Sequence, residues 1–237
     1  MPRRTGKIIG LAIGLVCICA AANAQKIDLY GGVGYASYRH PELHDYQDEF
    51  VKVAGVSATK IQQFPSYYTY MAGLEVALKP VALGVEFGHG STGGRVYYED
   101  YSGNVVGDMT VIYNYFAITP SVFVYRTDDF SIAAGAKLSI IYSKLAVANS
   151  KRIGETTLSE GEDFYGTNFG FQPNVVAQKI LLGRLILRAS AGYEFQNSSA
   201  PVTKKDKLFL SNGNNGEVHL KGDGFRLSIG VGIRILK

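Results

Sequence analysis

Phe225-Arg-Leu-Ser-Ile-Gly-Val-Gly-Ile-Arg-Ile235, close to the end of the 237-residue chain, alternates without a break. Phe225, Leu227, Ile229, Val231, Ile233 and Ile235 fall on one face of an extended strand, and Arg226, Ser228, Gly230, Gly232 and Arg234 on the other. Successive side chains of a strand point to opposite faces, so the stretch has one apolar and one polar side. A soluble sandwich can carry such a strand, and its meaning depends on whether the rest of the chain repeats it.

It does. Working outward, similar alternation predicts strands over 27–38, 67–78, 81–88, 109–126, 130–142, 164–179 and 184–195, with 225–235 as the eighth. The stretches between them alternate long and short. Those over 39–65, 89–108, 143–163 and 196–222 are long and polar, whereas Lys79-Pro80, Thr127-Asp128-Asp129 and Leu181-Leu182-Gly183 are tight turns. Proline pre-sets its own φ and cannot join a ladder, which suits Lys79-Pro80 to a turn. Pro120 marks an irregularity in the fourth strand and leaves its facing open there. No convincing amphipathic helix is predicted after the first 24 residues.

Eight antiparallel strands close into a barrel, and two kinds of barrel fit. A soluble one of lipocalin type buries its apolar face, whereas one in a membrane turns that face outward. Three features favour the membrane. The polar faces are rich in glycine with a few charges of both signs, as a narrow lumen requires. Aromatic residues near the loop ends (Tyr68, Tyr70, Tyr113, Tyr115, Tyr142, Tyr193 and Phe195) are placed as a girdle at the membrane boundary would be. All long connections lie at one end. The fold expected is therefore all-β: an eight-stranded antiparallel transmembrane barrel of the OmpA/OmpX type, with four long outer loops and three short periplasmic turns.

Residues 1–24 read as a cleaved secretory signal, with Arg3, Arg4 and Lys7 before an apolar run and Ala22-Asn23-Ala24 at the cleavage site. Val16 before Cys17 and Ile18 before Cys19 do not suit a lipoprotein signal. Cleavage would leave 25–237 as a single barrel domain, remove both cysteines and take the net charge from +4 to +1. Disulfides and thiolate metal sites are then excluded, and the residual charge does not point to nucleic acid. The chain has 28 glycines, 16 tyrosines, 12 phenylalanines and no tryptophan, a composition suited to an exported all-β protein.

Tyr113-Asn-Tyr-Phe-Ala-Ile-Thr-Pro120 followed by Ser121-Val-Phe-Val-Tyr125, the strand from Phe130-Ser-Ile-Ala-Ala-Gly-Ala-Lys-Leu138 and the closing Gly230-Val-Gly-Ile-Arg-Ile235 resemble the PorT-like outer-membrane β-barrel family. The resemblance extends over 25–237, although the family usually ends near an aromatic residue and this chain ends Ile235-Leu236-Lys237. It implies the barrel fold and allows a transport or secretion accessory role.

The polar faces place Glu75, Glu86, Lys137, Arg188, Glu194, Arg226 and Arg234 in the lumen. Glu75 and Glu86, on strands joined by a tight turn, are expected nearly opposite each other, which requires a cation between them or one of the two protonated. The expectation is an interior network of ion pairs that plugs and stiffens the barrel, with an acid/base or ion-pathway role as the competing reading. His89-Gly-Ser91, with Glu99 or Asp100 as the acid, offers a lipid A deacylase-like alternative, set against a glycine-rich loop that cannot hold a base in place. His40, His44 and His219 lack ligand spacing and read as solvated, and Asp45, Asp48 and Glu49 do not follow a calcium loop. Lys204-Lys-Asp-Lys207 reads as solvated or touching anionic lipopolysaccharide.

No catalytic site, cofactor or metal is expected. The expected location is a Gram-negative outer membrane. The expected partners are outer-membrane lipid and lipopolysaccharide, the assembly machinery and an envelope or extracellular protein. A monomer is expected, acting as a structural or interaction protein through its loops.

Overall fold

The computed structural model describes residues 26–53, 59–101, 103–153, 156–211 and 216–236. The signal expected over 1–24 lies outside them. Ten strands and one helix follow in order: β1 (Lys26–Arg39), α1 (Pro41–Val53), β2 (Thr59–Gln63), β3 (Tyr67–Leu78), β4 (Val81–Asp100), β5 (Gly103–Arg126), β6 (Phe130–Ile153), β7 (Thr156–Leu181), β8 (Leu185–Gln196), β9 (Val202–Thr203) and β10 (Asp223–Leu236). Antiparallel pairing runs β4-β3-β1-β10-β8-β7-β6-β5 and returns from β5 to β4, so eight strands form a closed ring. Short β2 and β9 pair outside it, on β4 and β7. Closure lies between β1 and β10, where Gly32 faces Gly230. A Cβ on Gly32 would come within 2.3 Å of the Ile229 carbonyl oxygen, so the seam requires glycine there.

The ring is polar inside and apolar outside. Ile229 is 65% exposed while Glu194, paired within the same sheet, is 1% exposed. Leu29, Val33, Phe87, Val122, Leu138, Phe171, Leu187 and Val231 also face out. No water-soluble barrel leaves such a band uncovered, and with closed backbone pairing it makes this a transmembrane barrel. Aromatic pairs edge the band at the loop end. Tyr35 meets Tyr68 at 6.0 Å, and Tyr193 meets Phe225 at 5.0 Å and Phe195 at 4.8 Å.

Beyond that edge the polarity inverts. On β6, Leu138, Ile140 and Tyr142 are exposed, but the next apolar residues, Leu145 and Val147, are buried. On β5, Phe116 points out while Tyr115, Tyr113, Val111 and Met109 point in. The expectation that Tyr113 and Tyr115 join the girdle is therefore wrong. Both are buried, because on β5 the apolar residues change face between Tyr115 and Phe116. Above the membrane the strands bury an apolar core, as any water-exposed sheet does.

That core carries the longest strands. β5, β6 and β7 have 24, 24 and 26 residues, against the roughly 9–11 that cross a bilayer. Two of the four expected loops, over 89–108 and 143–163, are thus mostly strand: β4 pairs β5 up to Asp100 and Gly103, and β6 pairs β7 up to Ile153 and Thr156. The first connection holds α1, against the expectation of no helix. Pro41 suits the first helical turn, where its missing N–H costs nothing, and Leu43, Tyr46 and Phe50 recur at helical spacing. Leu43 and Gln47 are fully buried in the mouth of the barrel.

At the other end the turns are short. Leu182 and Gly183 both have positive φ, 51° and 72°, the geometry of a two-residue hairpin turn whose twist matches the strands. Pro120 does not reverse the facing of β5. It occupies an outward position opposite Leu83, and pairing to β6 passes from Ile118 to Ser121 without it. The register shift comes later, between Phe123 and Tyr125.

Candidate functional site: a neutral lumen under an aromatic cap

Among the described residues, the lumen holds four acids and four bases. Asp28, Glu75, Glu86, Glu194, Lys137, Arg188, Arg226 and Arg234 are all buried. Arg234 donates two bonds of 2.8 Å to the Asp28 carboxylate, its neighbour across the β1–β10 seam. Arg188 of β8 reaches across the lumen to Glu75 of β3 at 2.7 Å, and Gln178 donates to the same carboxylate at 2.9 Å. Lys137 of β6 donates to Glu86 of β4, past β5. Tyr115 and Tyr30 donate to Glu86 as well, at 2.8 and 3.1 Å. Arg226 lies 3.1 Å from Glu194, which also accepts from Tyr38 and from Gln196 at 3.1 Å.

Glycines make this layout possible. A Cβ on Gly88 would fall 2.2 Å from the Tyr115 ring, and one on Gly73 2.5 Å from the Tyr30 ring. Both rings lie flat across glycine backbone and bring their hydroxyls to Glu86. Arg188 stacks on Tyr30 at 4.3 Å, and Arg226 lies over Tyr115 at 4.5 Å. Arg188 and Arg226 are thus each held by a carboxylate and by an aromatic face.

The seven charged residues expected in the lumen all lie there, but not in the expected pairing. Glu75 and Glu86 are not opposite each other. The register sets Glu75 against Gly84 and Glu86 against Gly73, so each has its own cation. The neighbouring acids are Asp28 and Glu75, directly paired between β1 and β3. They coexist because Arg234 and Arg188 neutralise them separately. Asp28 was missing from the expected network, although its place opposite Leu29 and Ile27 in the alternation put it on the polar face. Tyr30, Tyr38 and Tyr115 also lie outside the expected network, which counts charged residues alone and assigns Tyr115 to the girdle.

The cap over the lumen is aromatic. His40, read as solvated, is 2% exposed. It stacks on Tyr113 at 5.9 Å, meets Tyr38 and Phe64 edge-on, and its Nδ1 lies 3.1 Å from the Lys221 carbonyl oxygen. The connection before β10 closes over α1: the His219 N–H donates to Glu42 at 2.6 Å and its Nδ1 lies 3.0 Å from the same carboxylate oxygen.

His89 and Ser91 are not in a flexible loop but on β4, both facing out. Gly90 and Gly94, which suggested that loop, make room for Tyr67 and for Phe64 with Gln47. Glu99 and Asp100 cannot serve His89, since ten strand residues span roughly 33 Å. They bond instead to Tyr97 and Tyr98, and His89 Nδ1 lies 2.9 Å from Asn114 Oδ1. Among the described residues, no group of three or more His, Cys, Asp or Glu is placed to hold a metal ion.

No family model and no curated protein matches the chain. Several solved structures match, among them three outer-membrane barrels. Neisserial surface protein A has 9% identity and a TM-score of 0.40, over 89% of this chain and 97% of its own. The attachment invasion locus protein of Yersinia pestis has 12% identity and a TM-score of 0.38, over 90% and 99%. The N-terminal barrel domain of Pseudomonas aeruginosa OprF has 10% identity and a TM-score of 0.28, over 90% and 99%. The fold resembles theirs only at this coarse level, and the barrel rests on its own register.

Two outcomes are expected. Glu75→Gln or Arg188→Met alone strands a buried charge and should destabilise the barrel by about 3–5 kcal/mol in urea unfolding, with the double variant recovering most of it. By the same logic Arg226→Ala and Arg234→Ala should each lower the temperature at which the folded form loses its faster gel migration, and an unchanged temperature for both contradicts the network. The second concerns pH. Burial holds His40 well below its ordinary value of 6.5, at about 4, so the folded cap favours the neutral ring. The unfolded chain takes up that proton first. Cap stability should be constant above pH 6.5, fall between 6.5 and about 4, and be lower by on the order of 3 kcal/mol below that. Hydrogen exchange of the α1 amides reads it, and His40→Phe should flatten the profile.

Proposed function

We propose that residues 25–237 form an integral barrel of a Gram-negative outer membrane, exported through a cleaved signal, that serves as a structural or interaction protein through the part projecting beyond the membrane. What supports this reading is the neutral lumen: eight buried charges cancel pairwise within it, two pairs crossing it, beneath a cap of Tyr38, His40, Phe64, Tyr67 and Tyr113. An eight-stranded barrel has room for side chains or one small ligand, and here side chains occupy it. That filling is what speaks against a general pore. The projecting strands of β4 to β7, with α1, carry the water-facing polar surface on which a partner can act.

Such a protein meets outer-membrane lipid and lipopolysaccharide along its apolar band and girdle, enters through the assembly machinery, and functions as a monomer. The resemblance to PorT-like barrels suggests a transport or secretion accessory as the alternative, and conductance separates the two. In planar lipid bilayers the protein should give no stepwise current at neutral pH. A steady open-channel current would overturn the interaction reading in favour of transport.

A further inference from the structure

Above the girdle, β7 has a free edge. From Thr156 to Lys179 one side of β7 is paired to β6. On its other side β8 begins only at Gly170, and β9 covers just Phe164 and Tyr165. Among the described residues, Thr156–Asp163 therefore offer backbone N–H and C=O groups along one edge, and Thr156 to Glu162 are exposed throughout. Leu158, Glu160 and Glu162 share the face of buried Phe164. Behind them lies a cleft of about 300 Å³ lined by Tyr46, Val147, Asn149, Glu160, Glu162 and Leu210. The Asn149 Oδ1 atom is buried there without a donor. Lys144 neutralises Asp163 at 2.7 Å, but among the described residues no cation pairs with Glu160 or Glu162.

β9 shows that this edge accepts an antiparallel strand. Val202 pairs with Tyr165 and Thr203 with Phe164. Continuing that register would set Lys204, Lys205 and Lys207 against Asp163, Glu162 and Glu160. The chain does not continue it: the segment turns away, and the Thr203 N–H donates to the Leu208 carbonyl at 2.9 Å. The edge thus has a register, a charge pattern and a side-chain cleft, all suited to a basic strand. Two copies of the edge would oppose carboxylate to carboxylate, which disfavours self-pairing.

We propose that the β7 edge over Thr156–Glu162 is a docking surface for a basic, extended segment of an envelope or extracellular protein, which adds as an antiparallel strand and sets cationic side chains on Glu160 and Glu162. Main-chain bonds supply affinity, and alternate side chains entering the cleft supply selectivity. The inference rests on the interaction reading above, because it names that reading's partner class and surface.

The test uses residues 25–237 in phosphatidylcholine nanodiscs and a fluorescein-labelled peptide of alternating lysine and threonine, followed by anisotropy at 0.15 M salt. Binding is expected, weaker by about tenfold in Glu160→Gln/Glu162→Gln and lost when alternate amides of the peptide are N-methylated on the pairing edge. The double variant lies on an exposed surface and should keep its heat-modifiable migration. Absence of binding overturns the proposal, as does equal binding of the N-methylated peptide, which marks charge attraction without strand addition. Near-complete spontaneous disulfide formation in Glu162→Cys/Lys205→Cys also overturns it, because the chain's own segment then fills the edge. A peptide that fails on a barrel without conductance removes this surface alone, whereas an open channel removes the interaction reading whatever the peptide does.

Discussion

A strand in a bilayer must put its apolar side outward, and every constraint in this molecule follows from that. The outward face takes Leu29, Val33, Leu187, Ile229 and their like, so each charged group on a spanning strand is forced into a narrow lumen. A charge in that lumen is costly unless paired. The solution is four carboxylates met by four cations, two of them crossing the lumen from β8 to β3 and from β6 to β4. The glycines at 73 and 88 are part of the same solution. They let Tyr30 and Tyr115 lie flat, donate to Glu86 and present their faces to Arg188 and Arg226.

Past the girdle the constraint is lifted and the chain reverts to the packing of a water-soluble protein. Outward positions become His89, Arg95, Asp108 and Lys144, and inward ones become Met109, Val111, Leu145 and Val147. α1 and the connection before β10 complete this second core, with His40 at its centre. One chain therefore builds two interiors end to end, a polar one in the membrane and an apolar one above it. The lower interior is filled by paired charged groups and the tyrosines that bond them. The upper one supports a sheet long enough that, among the described residues, an edge of β7 has no strand beside it.

The inversion also explains what could be read from the sequence and what could not. Alternation has period two whatever its length, so the eight spanning segments, their closing strand and the seven lumen charges were legible. Strand ends were not. On β6 the outward apolar residues sit at even positions through Tyr142, and the inward ones, Ile141, Leu145 and Val147, at odd positions, a change that reads as the end of a strand although the backbone runs on to Ile153. The same change on β5 assigned Tyr113 and Tyr115 to the wrong face. On β4 the upper part is rich in glycine because Tyr67 and Phe64 lie against it, and glycine read as loop. α1 carried a helical signal in Leu43, Tyr46 and Phe50, but thirteen residues within a polar connection gave it little contrast. The pairing of charges was illegible for a different reason: it depends on which strands face each other across the lumen.

The central claim is that polarity inverts along single unbroken strands, and a cysteine scan of β6 in vesicles tests it most directly. Single cysteines at 138, 139, 140, 144 and 145 would each carry an environment-sensitive fluorophore, with brominated lipid and aqueous iodide as quenchers. Lipid quenching is expected at 138 and 140, iodide quenching at 144, and protection from both at 139 and 145. Lipid quenching at 139 or 145, or iodide quenching at 138, would contradict the inversion.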